Sequence, residues 1–398
     1  MPNTETVSSP PRPARQARAA VAAVFLTNGA LFANIVPRYP QLKDELGMTN
    51  VVLGTVIAAM PLGALVAGLL ASAAIRRFRS ARVATFGIVL YAAATMLVAV
   101  APAWIALAAV MFVLGALDAV IDVAQNAHGL RVQRAYGRSI VNAFHGLWSI
   151  GAVLGGLMGS AAAGLGVPLA LHLGISAALF SAVALVALRF MLPGPEDTER
   201  AAPPPTPQPG AARAVRTTAV RMLAALGVLA ICGALAEDAG ASWGALYLTD
   251  LKASAATAGL AFVALQTAMT IGRLTGDRAV DRFGQRAVVR AGGVLAAVGM
   301  GVALAFPSIA TSLAGFALAG LGVATLIPAA MHTADELPGL PDGLGLTVVS
   351  WLLRVGFLVS PPLVGLIADV ASLRVGLLSV VLAGLLTVVL SRTLVDRA

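Results

Sequence analysis

Twelve runs of roughly 17 to 25 mostly apolar residues follow one another along the chain, each long enough as a helix to cross a bilayer. They fall near 19–37, 49–73, 82–100, 104–127, 140–165, 168–190, 221–248, 255–275, 286–306, 309–331, 343–368 and 372–391. Short polar stretches separate them, except between the sixth and seventh runs. There the chain reads PGPEDTERAAPPPTPQPGAARAVR, a segment whose proline and charge content suits an exposed linker. The pattern predicts a polar tail at 1–18, a six-helix bundle at 19–192, a linker at 193–220 and a second six-helix bundle at 221–398. An ungapped offset of 205 residues pairs Gly54 with Gly259, Arg77-Phe78 with Arg282-Phe283, Gly87 with Gly292, Gly115 with Gly320 and Gly151 with Gly356. Six spans per half is an even number, so the halves are parallel repeats about an axis along the membrane normal.

Composition supports this reading. Hydrophobic residues make up 59% of the chain and charged residues 11%, where soluble domains carry about 25%. The net charge of +9 would invite a nucleic-acid partner if it formed a patch, but it is spread over alternate loops. With both termini in the cytoplasm, that side collects 22 of the 27 Lys and Arg, and the positive-inside rule gives an N-in, C-in topology. The loop at 332–342 dissents, carrying Asp335, Glu336 and Asp342 and no Lys or Arg. The expected location is therefore a membrane, with the lipid bilayer as partner and no nucleic acid. The chain is expected to act as a monomer without cofactor or metal. Cys232 stands alone, so no intramolecular disulfide can form. No Walker A sequence is present, and four scattered His with one Cys give no catalytic or metal constellation, so an enzyme is not expected.

Polar residues inside the runs carry the candidate chemistry. LGALDAVIDVAQNAHG places Asp118, Asp122 and Asn126 at four-residue spacing, one stripe of one helix. Counted from Trp104, Asp118 lies roughly 21 Å and Asp122 roughly 27 Å along the axis. Two carboxylates one turn apart in a low dielectric do not comfortably both ionise, which makes a proton-binding site. Asp122, Asp118 and Glu237 are the candidates for proton coupling. The other reading of Asp122 and Asn126 places them at the inner surface, bonded to Arg131 or Arg134. Glu237 and Asp238 sit deep in the seventh run and Arg354 at mid-depth in the eleventh, where either a mutual ion pair or a solute anion would compensate the guanidinium. Candidate solute contacts are Asn126, Asn34, Asn142, His145, Trp243, Gln266 and Arg354. For the amides a helix–helix contact, and for Trp243 a membrane anchor, are the competing roles. The third, sixth, ninth and twelfth runs have no charge in their apolar interiors and suit lipid. The first, fourth, fifth, seventh, eighth and eleventh would line a cavity.

Between the eighth and ninth runs, GRLTGDRAVDRFGQR resembles the loop signature of the major facilitator superfamily through Gly272, Asp281, Arg282, Gly284 and Arg286. The equivalent first-half stretch, IRRFRSAR, has Arg76 where the Asp belongs and Arg79 where the Gly belongs. VPRYPQLKDELG, the helix with Asp122 and Asn126, ALAEDAGASW and SPPLVG are similar to a bacterial subgroup related to the fucose permeases, apart from Arg354 at a position expected to be neutral. The resemblance implies an all-α membrane protein of two pseudo-symmetric six-helix bundles, the cited motif as a gate, and a proton tied to the Asp122 and Asn126 helix. It implies a secondary transporter of a small polar solute, sugar-like or an organic acid, working by alternating access. An efflux antiporter and a transporter-like sensor that no longer cycles are the alternatives.

Overall fold

The computed structural model describes residues 11–137, 139–194, 214–337, 340 and 343–394. The expectations for residues 1–10, most of the linker (195–213), Arg138 and Asp342 lie outside the described residues. Among the described residues, twelve helices are long and apolar enough to span a membrane: α1 (Arg12–Glu45), α2 (Asn50–Phe78), α3 (Ser80–Val100), α4 (Trp104–Tyr136), α5 (Val141–Gly164), α6 (Leu169–Leu188), α7 (Ala219–Asp250), α8 (Ala255–Phe283), α9 (Gln285–Ala305), α10 (Ile309–Asp335), α11 (Leu344–Val370) and α12 (Leu373–Thr393). No strand occurs among the described residues. A bilayer offers no water to satisfy backbone N–H and C=O groups, so apolar runs of this length can only close their hydrogen bonds within each segment.

Several helices run past the ends that hydropathy predicts. Helix α1 begins at Arg12, inside the segment read as tail, and the helical segment leading into α7 begins at Ala214, inside the one read as linker. Helix α4 continues to Tyr136 and α8 to Phe283, so most of the stretch read as a loop motif is helix. Alanine- and arginine-rich ends such as RPARQARAA propagate a helix well even where they are too polar to count as membrane span.

Two spans change helical pitch where the site lies, and a third carries a proline pair. Helix α1 tightens into a 3₁₀ turn at Val36–Arg38 around Pro37. Helix α7 widens into a π turn at Ala239–Trp243. Helix α11 contains Pro361 and Pro362, which lack the N–H that would close the helical ladder.

The 205-residue offset has a physical cause in helix packing. Gly115 of α4 packs on Met60 of α2, and its mate Gly320 of α10 packs on Leu265 of α8. Gly151 of α5 meets Leu26 of α1, and Gly356 of α11 meets Ile231 of α7. The pair Gly54 and Gly259 marks the two places where the halves cross. A Cβ at Gly54 in α2 would sit 2.6 Å from the Pro361 carbonyl carbon of α11, and one at Gly259 in α8 would meet Ser160 of α5 and Pro37 of α1. These crossings lie toward the end of the bundle that carries residues 45–50. There Asp369 of α11 also accepts the backbone N–H groups of Asn50 (2.9 Å) and Val51 (2.8 Å), placing a carboxylate on the N-terminus of α2. Helices α3, α6, α9 and α12 lie outermost and expose leucines, valines and phenylalanines such as Leu90, Leu179, Val298 and Leu385.

Candidate functional site

A cavity of about 290 Å³ lies between the halves, lined by α1, α2, α4 and α5 on one side and α7, α8 and α11 on the other. Sequence reasoning anticipated six of these helices and missed α2, whose contribution of Ile57, Met60, Pro61 and Ala64 is apolar and carries no polar signal. Phe32, Tyr39, Trp148, Phe262 and Phe357 supply aromatic wall, and Asp118, Glu237, Asp238, Gln266 and Arg354 supply polar groups.

On the N-terminal wall, Asp118 is the end of a short relay. Asn28 Nδ2 of α1 donates to Asp118 Oδ1 at 3.0 Å, and Asn28 Oδ1 accepts from Trp148 Nε1 of α5 at 2.6 Å. The three helices are thereby tied together through one carboxylate, and Trp148 turns its ring to the cavity.

Asp122, one turn further along α4, points to a separate cluster. Asn126 Nδ2 and Gln125 Nε2 donate to its carboxylate at 2.9 and 3.3 Å, and His145 Nε2 of α5 lies 3.1 Å from Asn126 Oδ1. The expected alternative pairing with Arg131 is not made. The Arg131 guanidinium is buried and donates to the carbonyls of Leu192, Pro193 and Gly194 beyond the end of α6, carbonyls that a helix end leaves without partners. Asp122 and His145 are exposed, and neither lines the central cavity.

On the C-terminal wall, Asp238 is buried and accepts two hydroxyl donors, Ser242 from the π turn of α7 and Ser360 of α11 at 2.7 Å. The π turn places Ser242, four residues on, back against the carboxylate, and Ser360 precedes the proline pair of α11. Glu237 pairs with Arg273 of α8 at 3.4 Å. This replaces the expected pairing of Glu237 or Asp238 with Arg354. Arg273 follows Gly272 in α8 and faces α7, whereas the Arg354 guanidinium is exposed in the cavity, with no hydrogen bond or ion pair among the described residues.

Besides Asn126 and His145, three more of the expected solute contacts lie outside the central cavity. Asn34 is fully buried inside the N-terminal half, accepting from His172 (2.7 Å) and Ser176 (3.3 Å) of α6 and donating to the Ala30 carbonyl, so it fastens α1 to α6. Trp243 is buried in the π turn and does not line the cavity. Asn142 is exposed in the first turn of α5. Gln266 does reach the cavity wall, with Nε2 unpartnered among the described residues. Asp238, Tyr39, Trp148, Arg273, Ser242 and Ser360 were not among the expected site residues. SPPLVG and the ionisable pair Glu237-Asp238 were their sequence signals, but the π turn that joins them leaves no mark in hydropathy.

The gating signature is also placed. Gly272 packs on Leu321 and Ala324 of α10, Arg286 Nε donates to the Leu394 carbonyl at 2.9 Å, and Gly284 makes the break between α8 and α9 at φ +81°. Asp281 and Arg282 are exposed at the end of α8. Arg79, at the equivalent break between α2 and α3, adopts φ +73° although it is not glycine.

The sequence profile of the Major Facilitator Superfamily matches residues 21–247 and again 226–397. The chain belongs to this superfamily. Its members are transporters rather than enzymes. It is 32% identical to the membrane protein MosC of Rhizobium meliloti over 370 residues, 92% of this chain and 87% of that one. An uncharacterized MFS-type transporter of Yersinia pestis is 29% identical over 376 residues, covering 94% of each. Among solved structures the superfamily fold recurs in the nucleoside transporter NupG (TM-score 0.73, 13% identity, 96% of this chain and 98% of that chain). It recurs in an inward-facing, occupied bacterial homolog of the lysosomal transporter Spinster (0.72, 15%, 96% of each) and in FucP in its outward conformation (0.61, 16%, 96% and 99%).

Proposed function

We propose that this superfamily member is a proton-coupled secondary transporter of a small polar solute, sugar-like or an organic acid, in a bacterial inner membrane. The observation that carries the proposal is the central cavity, bounded by both halves, with carboxylates on each wall and a guanidinium on one. Its volume stands at the low end of the range for small-molecule sites, about 300–1,000 Å³. Alternating access follows from the way the halves meet. Close crossings through Gly54 and Gly259 and the Asp369 bonds seal the end that carries residues 45–50, while Asp122, His145 and Arg354 are exposed toward the other. With both termini in the cytoplasm, this is a state open to the inside. Closing the open end requires the halves to rock about the crossings.

Asp118 and Asp122 are the carboxylates assigned to the proton. Asp118 touches the solute space and Asp122 faces the open end, with Asn126 and His145 beside it as the exit. Glu237 couples to the same cycle through Arg273, while the motif from Gly272 to Arg286 holds the ends of α8 and α9 during the movement. The chain contains both halves of the cavity and so needs no second copy.

The test is uptake into proteoliposomes under an imposed pH gradient. Asp122→Asn and Asp118→Asn should abolish gradient-driven accumulation while leaving exchange of solute across the membrane. Accumulation that ignores the pH gradient in the unsubstituted protein refutes coupling. Walls rich in Phe32, Ile57, Met60, Phe262 and Phe357 favour a second reading, export of a largely apolar compound against protons, which the same vesicles report as solute efflux with the gradient reversed.

A further inference from the structure

We infer that the solute of this cavity is a monocarboxylate, held through its carboxylate by Arg354; the inference rests on the transporter reading and names its substrate class. It comes from matching donors against acceptors around the cavity. Each carboxylate on the walls already has a protein donor: Asp118 has Asn28, Asp238 has Ser242 and Ser360, and Glu237 has Arg273. Three donors lack a protein acceptor among the described residues, the Arg354 guanidinium, Gln266 Nε2 and the Tyr39 hydroxyl. Arg354 has no acceptor at hydrogen-bonding distance among the described residues, and it carries its charge inside a membrane helix by facing the open cavity rather than a protein partner. A site short of acceptors binds an acceptor, and a planar fork of N–H groups fits a planar carboxylate with two parallel bonds.

The position of Arg354 gives the anion a role in both halves. The side chain springs from α11 and crosses toward α2, where a Cβ on Gly68 would lie 3.7 Å from Nη1. That is an ordinary contact distance, so the guanidinium reaches α2, and a carboxylate bound there lies between the two bundles. Phe357 and Phe32 flank the same space with apolar surface for the rest of the solute. Charge limits the anion further. Asp118 and Asp238 face the same cavity, Glu237 is neutralised by Arg273, and Arg354 is the remaining cation, so a dianion such as a phosphate monoester meets one positive group and two carboxylates. One guanidinium offers a partner for one negative charge and leaves none for a second.

The experiment is ligand-dependent thermal stabilisation of the purified full chain with matched probes: D-glucuronate, lactate and pyruvate as monocarboxylates, D-glucose as the neutral sugar, D-glucosamine as the amine, D-glucose 6-phosphate as the dianion. At least one monocarboxylate should raise the unfolding midpoint of the unsubstituted protein. Arg354→Gln should weaken that ligand at least about tenfold, equivalent to about 1.4 kcal/mol. Arg354→Lys should fall between, because it keeps the charge and loses the fork. Arg354 has no protein partner to strand, and the unliganded midpoint of each variant checks that it folds. The inference is overturned if no monocarboxylate stabilises, if the monocarboxylate effect survives Arg354→Gln, or if the glucose, glucosamine or phosphate probe alone stabilises. Flux separates this from the transporter reading: a carboxylate that binds through Arg354 but never crosses a proteoliposome membrane upholds the recognition and refutes transport.

Discussion

Gly54→Ala adds one methyl group at the crossing of α2 and α11. In the present packing that methyl would lie 2.6 Å from the Pro361 carbonyl carbon and 2.9 Å from Pro362 Cα, and closer still to the Pro361 oxygen. Carbon atoms rest about 3.5–4.0 Å apart, so the helices must separate by about 1 Å. Both obstacles are backbone, stiffened by two prolines, so no side chain can swing aside to relieve the clash. Overpacking of this kind costs about 1–3 kcal/mol, which moves a two-state equilibrium by roughly 5- to 150-fold. Because the crossing seals one end, the cost falls on the sealed state, and the population should move toward the state open at that end. Spin labels at Asp44 and Arg374 report the sealed end, and labels at Arg134 and Arg282 report the open one, in a background with the buried Cys232 changed to serine. Gly54→Ala should lengthen the first distance and shorten the second. Gly301→Ala is the control, since a Cβ there meets nothing within 4 Å. If both substitutions leave the distance distributions alike, the crossing does not hold the halves and the reasoning fails.

Two further outcomes follow from the backbone and the buried amides. Arg79 occupies a conformation nearly reserved for glycine, φ +73° and ψ 147°, at the position matched by Gly284 in the other half; Arg79→Gly should relieve about 1–3 kcal/mol of strain, read as a higher unfolding midpoint. An unchanged or lower midpoint contradicts the strain. Asn34→Ala leaves His172 Nε2 without its buried acceptor and should lower stability by about 1–3 kcal/mol with little change in solute affinity; a large affinity loss at unchanged stability would return Asn34 to the solute site.

Some of the site was readable in advance because the membrane makes polar groups conspicuous. Asp118, Asp122, Asn126 and His145 stood out against apolar runs, and the structure gathers all but Asp118 into one hydrogen-bonded cluster. Arg354 and Gln266 were likewise found in the cavity wall. Partner choice was not readable. Arg354 and Arg273 are both arginines deep in helices near Glu237, and which one pairs depends on helix rotation and on where α7 and α8 meet. Asn34 and Asn28 are six residues apart on the same helix, yet one fastens α1 to α6 and the other carries Asp118. Trp243 looked like a stacking ring because its burial inside a π turn has no sequence signature.

What this sequence determined alone was the number of spans, the two-half repeat and the helices able to host polar groups. Each follows from local quantities, namely length of apolar run, residue spacing and the demand that every backbone group in a bilayer be bonded within its own segment. What only the tertiary structure decided was which polar groups are spent on one another and which remain for a solute. That depends on distances of a few ångström between helices far apart in sequence, set by glycine contacts such as Gly54 on Pro361 and by the changes of helical pitch in α1 and α7. Hydrogen bonds fade beyond about 3.5 Å, so a helix rotation of one residue, about 100°, is enough to move a side chain from the cavity to a buried pair.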